Sequence, residues 1–96
     1  MNPVFSAHLR ISGRVQGVGY RQALRRRALE AGATGWVRNR SDGTVEARIE
    51  GSETVVRVLI EWARVGPPAA QVARVEVETS RGDGPRGAGF EARPTV

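Results

Sequence analysis

The sequence predicts an α+β sandwich: an antiparallel sheet with two helices on one face and a short extra C-terminal strand. Three observations predict it. Four segments read as strands, most of them alternating apolar and polar residues at a two-residue period. Two others repeat apolar residues every three or four positions, as a helix with one buried stripe does. The segments follow one another as β-α-β-β-α-β, and two helices of a dozen residues cannot cover both faces of the resulting sheet.

Each element has its own signature. Residues 7–15 place Ala7, Leu9, Ile11, Gly13 and Val15 on one face and His8, Arg10, Ser12 and Arg14 on the other. From Tyr20 the period changes: Tyr20, Leu24, Ala28 and Ala31 make a helical stripe, and Gly32 follows as a stop. "TGWVRNR" reads as the second strand and "SDGT" as Asp-Gly turn chemistry. The returning strand alternates Val45, Ala47 and Ile49 with Glu46, Arg48 and Glu50. Ser52 is a suitable N-cap for the second helix, whose expected apolar stripe is Val55, Val58, Leu59 and Trp62. Gly66, Pro67 and Pro68 end that helix, "VARVEVET" alternates as a fourth strand, and "FEAR" forms a short last one. This order is the ferredoxin-like split-βαβ arrangement. All 96 residues are expected to form one domain, with residues 1–6 as an N-terminal tail and the glycine-rich residues 80–89 as a flexible loop.

Composition removes several classes of function. With no cysteine, disulfides and thiolate metal sites are excluded. All fifteen basic residues are arginine, so neither a lysine nucleophile nor a Walker A loop is available. The net charge of +5 favours anionic partners, nucleic acid or small phosphorylated compounds, without choosing between them. "MNPVFSAHLRIS" lacks a basic segment followed by an apolar one, and no apolar run reaches the roughly 18 residues of a membrane span. The expected compartment is the cytoplasm.

The segment with most chemical content is "GRVQGVGYR", residues 13–21. A loop entering a helix N-terminus leaves backbone N–H groups without partners, and glycines let them converge on an anion. Gly17 and Gly19 sit where that curl falls, and Arg21 begins the helix, placed to give a bidentate pair to a tetrahedral oxyanion. The same glycines also suit a plain tight turn. A dinucleotide fingerprint is not present, because its third glycine would have to stand where Gln22 does. Downstream, Asn39 ends the second strand just before the turn. Its amide offers an acceptor and two donors, enough to orient a water molecule, though a strand-end asparagine also commonly bonds its own backbone.

"GRVQGVGYR" followed at this separation by "GWVRNRSDGTVE" resembles the acylphosphatase family, and "EWARVGPPAAQVARVEVE" is similar to that family's second helix and fourth strand. The resemblance runs from about Ala7 to Arg93. It implies a ferredoxin-like fold and hydrolysis of acyl phosphates to a carboxylate and inorganic phosphate, with no cofactor and no metal. It also implies a phosphate cradle from the backbone of Val15, Gln16, Gly17, Val18, Gly19 and Tyr20, with Arg21 as the catalytic arginine and Asn39 orienting the attacking water. Tyr20 stands where phenylalanine is common in the family, which should keep the packing and add a hydroxyl. Expected partners are a small-molecule acyl phosphate and the phosphate product, with no specific nucleic acid and no membrane, acting on a monomer. A regulatory or carbamoyl-phosphate-handling domain of a larger protein is the lesser expectation, since no zinc-ligand or transferase segment accompanies the motifs.

The remaining candidates have plainer readings. His8 is expected to be an exposed strand residue, and Asp42, Glu46, Glu50 and Asp83 to be dispersed surface charge without ligand-like clustering. Trp36 and Trp62 are expected in the core, and Arg25–Arg27 on a solvated face where Arg26 can pair with Glu30. An RNA-binding sheet is disfavoured because the outward strand positions carry Arg, Glu and Ser in place of stacking aromatics.

Overall fold

Apolar alternation sets the inner face of the sheet, and in the computed structural model, which describes residues 3–83 and 88–96, it extends further than the sequence suggested. Phe5, Ala7, Leu9 and Ile11 are all buried, so the period-2 pattern starts at Phe5. The chain forms β1 (Pro3–Arg14), α1 (Tyr20–Ala31), β2 (Thr34–Asn39), β3 (Val45–Gly51), α2 (Glu53–Val65), β4 (Gln71–Asp83) and β5 (Phe90–Arg93). The sheet order is β4-β1-β3-β2-β5. All neighbours are antiparallel except β2 and β5, which makes the sheet mixed. β4 ends beside Pro3, at the same end of the sheet where β2 begins, so a strand started there runs the way β2 runs. Both helices pack on the face carrying Leu9, Val37, Ala47 and Ile49, and they touch each other. The fold is ferredoxin-like.

Within the described parts of the expected tail and loop, residues 3–6 and 80–83 are strand. Val4, Phe5 and Ser6 pair with Gly82, Arg81 and Ser80, so β1 and β4 extend each other beyond both forecast limits. The guanidinium groups of Arg57 and Arg81 each lie 5.1 Å from the Phe5 ring, giving this ribbon an anchor that alternation alone does not reveal. The middle of the expected loop, residues 84–87, lies outside the described residues.

Local signals hold where a single residue type carries them. The Gly32 N–H donates to the carbonyls of Ala28 and Leu29, closing α1 where the sequence expects it to close. Ser52 Oγ accepts from the Val55 N–H at 3.2 Å, capping α2. In the hairpin, Asp42 Oδ1 accepts from the Thr44 N–H at 3.0 Å and from its hydroxyl at 2.6 Å.

Longer-range choices differ from expectation. On α2 the buried stripe is Val56, Leu59, Ile60 and Ala63, while Val58 is 61 % exposed and Val55 and Trp62 only flank the core. This helix carries apolar residues on two adjoining stripes, so its own pattern leaves the rotation open. The stripe that reaches the core ends in small Ala63, whose carbonyl accepts the Tyr20 hydroxyl at 2.7 Å. That bond also answers what the extra hydroxyl does: Tyr20 is 2 % exposed, burial pushes its phenol pKa up, and the O–H joins the two helices. Trp36 lies outside the core, on the opposite sheet face, with the Arg38 and Arg93 guanidiniums 4.7 and 5.0 Å from its ring. Glu46 and Glu50, expected at the surface, are buried on that outer face, 7 % and 6 % exposed; Glu46 lies against His8, Arg38 and Arg40, and Glu50 accepts the Ser6 hydroxyl at 3.1 Å. Among the described residues Arg26 and Glu30 form no ion pair.

Candidate active site

β1 and β2 run in the same direction on either side of β3, so their C-terminal ends lie together at one end of the sheet. The loop that leaves β1 enters α1 there, and Asn39 is the last residue of β2. Val15, 1 % exposed, fixes the start of the loop in the core. Gly17 and Gly19 then take φ of 74° and 78°, a left-handed conformation that costs other residues about 1–2 kcal/mol. A Cβ at either glycine would meet no atom within 4 Å, so backbone conformation rather than space calls for glycine.

The result is a helix start with bare donors. Gly19 is the N-cap and supplies no side-chain cap, and the first intrahelical bond runs from the Ala23 N–H to the Gly19 carbonyl. The N–H groups of Tyr20, Arg21 and Gln22 therefore have no carbonyl within the helix to bond. No acidic residue in the first turn offsets the positive end of the helix dipole. The residues of this first turn, Tyr20, Arg21 and Gln22, line a concavity of about 140 Å³ together with Val15, Gly17, Gly19 and Asn39.

The structure thus brings Arg21 and Asn39, eighteen positions apart, to one cavity with most of the expected cradle. Arg21 is steadied from β5, where its Nη1 donates to the Arg93 carbonyl at 3.2 Å. The backbone of Asn39 is held by the Val96 N–H, which donates to its carbonyl at 3.1 Å. Among the described residues its side-chain amide has no hydrogen-bond partner, so the local backbone bond open to a strand-end asparagine is not made. Gln16 and Val18 do not line the cavity. The Gln16 amide instead donates to the carbonyls of Arg40 and Thr44 at 2.7 and 2.9 Å, tying the loop to the β2–β3 turn. Val18 packs against the core. Gln22 is the lining residue that the sequence reading passed over, and its signal was there: it is the third residue of α1 and its N–H the third bare donor.

His8 stays outside this cavity. It lies on the outer face, part-buried, with Nε2 2.6 Å from Glu46 Oε2. The same carboxylate accepts from Arg38 Nε at 2.8 Å and Arg40 Nη1 at 2.9 Å. Burial raises its pKa, but the hydrogen bonds from His8, Arg38 and Arg40 outweigh burial and hold it at about 2 against an ordinary 4.5. A carboxyl held down in the folded state stabilises above its ordinary pKa and loses that contribution as pH falls through the depressed value. Melting experiments from pH 5 to pH 2 should therefore show a loss on the order of 2 kcal/mol from this group. Glu46→Gln should be the less stable protein at pH 5, with its deficit closing towards pH 2; a deficit that is constant with pH would contradict this.

The acylphosphatase family model matches residues 7–92. The chain belongs to the acylphosphatase family. An acylphosphatase of Thiobacillus denitrificans is 49 % identical over 86 residues, covering 90 % of this chain and 93 % of that protein. One from Thermococcus kodakarensis is 57 % identical over 81 residues, covering 84 % and 89 %. The solved acylphosphatase structure from Coxiella burnetii superposes with a TM-score of 0.84 at 37 % identity, over 94 % of this chain and 93 % of that one. Family membership over almost the full length of these relatives makes the chain an acylphosphatase-type hydrolase. Among the described residues, no three His, Cys, Asp or Glu side chains gather as a metal-binding set, and no helix is long and apolar enough to cross a membrane.

Proposed function

We propose that the chain hydrolyses the carboxyl–phosphate bond of acyl phosphates by direct attack of water, without a metal. The observation that carries this reading is the shared cavity: Arg21, Asn39 and the first-turn residues of α1 line one concavity. In the proposed reaction the phosphoryl group sits against those N–H groups and the Arg21 guanidinium, which stabilise charge on its three equatorial oxygens. Asn39 orients a water on the face opposite the leaving group. The water oxygen bonds to phosphorus as the bond from phosphorus to the acyl oxygen breaks, and that oxygen leaves with its electron pair as a carboxylate. A carboxylate is a weak base and needs no general acid. The proton released by the water goes to a phosphate oxygen, giving inorganic phosphate. The family supports the substrate class, because its members carry the name of this activity.

The direct test is hydrolysis of benzoyl phosphate and of a simple phosphate monoester, each with EDTA present. Cleavage of the acyl phosphate alone, at a rate that EDTA does not change, is the expected outcome. Loss of activity on chelation would rule out the metal-free mechanism, and equal cleavage of the monoester would rule out the acyl phosphate preference.

A further inference from the structure

Glu46 is a buried charge that the proposed reaction does not use. It faces Arg38 across the β3–β2 ladder, on the sheet face away from the helices. One of its oxygens accepts from both Arg38 and Arg40, and those two residues directly precede and follow Asn39. Side chains alternate along a strand, so Val37 and Asn39 point to the helix side while Arg38 and Arg40 point outward. The carboxylate therefore grips the chain on both sides of Asn39 from the opposite face. The grip falls where β2 runs out: its register with β3 ends at Asn39 opposite Val45, and strand ends are where ladders open first. Beyond what it contributes to stability, a buried ion cluster of this kind can also fix a local geometry.

We propose that Glu46 is a positioning residue: through Arg38 and Arg40 it holds the end of β2 so that the Asn39 amide stays over the cradle. This inference rests on the reading of Asn39 as the group that orients water. A double-mutant cycle tests it, using benzoyl phosphate turnover at neutral pH with inorganic phosphate as competitive inhibitor. Glu46→Gln keeps the side-chain shape but replaces one acceptor oxygen with a donor. Its kcat is expected to fall about tenfold, with the phosphate inhibition constant changing less than about twofold. In the Asn39→Ala background the same substitution is expected to change kcat by less than about twofold, because the group it positions is gone. Equal losses in both backgrounds would overturn the proposal, as would a kcat near the parent value or a parallel collapse of phosphate affinity. If Asn39→Ala itself leaves kcat intact, the water-orienting reading falls and takes this one with it. A large Asn39 effect with an additive Glu46 effect overturns this one alone. Should Glu46→Gln not fold, Arg40→Met removes one arm of the grip and leaves the Arg38 and His8 bonds; it must show the same background dependence.

Discussion

Arg21→Ala is expected to abolish acyl phosphate hydrolysis in a protein that remains folded. An arginine that meets phosphoryl charge in the transition state is worth about 10³–10⁵ in kcat, and among the described residues Arg21 is the one arginine lining the cavity. Its structural attachments are slight. It is half-buried, and its one recorded hydrogen bond is to the Arg93 carbonyl at 3.2 Å. The stability cost should therefore stay within about 1 kcal/mol. Thermal melting checks the fold and benzoyl phosphate turnover checks the chemistry. Arg21→Lys separates charge from shape: a lysine keeps the positive charge but not the planar fork, so most of the loss should persist. Turnover near the parent rate in Arg21→Ala would remove the arginine from the mechanism.

How much of this was legible in advance depended on the range of the interaction. Gly32, Ser52 and the Asp42–Thr44 turn act within a few residues of themselves, and each does what its local chemistry dictates. The rotation of α2 is different, since Val58 and Ile60 are both apolar in sequence and only the tertiary packing, which buries Val56, Leu59, Ile60 and Ala63, separates the stripes. Trp36 sits at a strand position whose neighbour, Val37, takes the core place; its own burial comes from Arg38 and Arg93, one of them on a strand more than fifty residues away. Glu46 alternates as a polar, outward residue should, yet it is buried, because side chains from β1 and β2 close over it. Pattern predicts which face a side chain takes, and neighbouring strands decide whether that face sees water.

The site divides the same way. The positive φ angles of Gly17 and Gly19 and the bare first turn of α1 follow from the order of residues in the loop. That Asn39 joins them follows from topology: β3 lies between β1 and β2, so these two run the same way and end side by side. The supports are wholly tertiary. Gln16 reaches the Arg40 and Thr44 carbonyls, the Arg93 carbonyl receives Arg21, and the Val96 N–H holds Asn39. Contacts from β5 and the residues after it thus steady the Arg21 side chain and the Asn39 backbone, while Gln16 ties the loop to the β2–β3 turn.

Asn39→Ala is expected to lower kcat by about 10²–10³ while the inhibition constant of inorganic phosphate moves less than about twofold. The asymmetry follows from which donors hold the anion. The phosphoryl group would lean on the first-turn N–H groups and Arg21, none of which Asn39 supports through its side chain, whose amide is free among the described residues. Removing that amide leaves the bound phosphate its partners and deprives only the water of its orientation. Asn39→Asp adds a contrast: it is nearly the same size, but it offers acceptors alone and sets a negative charge beside the anion, so phosphate affinity should fall together with kcat. If Asn39→Ala instead weakened phosphate binding as much as turnover, the residue would be part of the cradle. The attacking water would then have to be held by some other group.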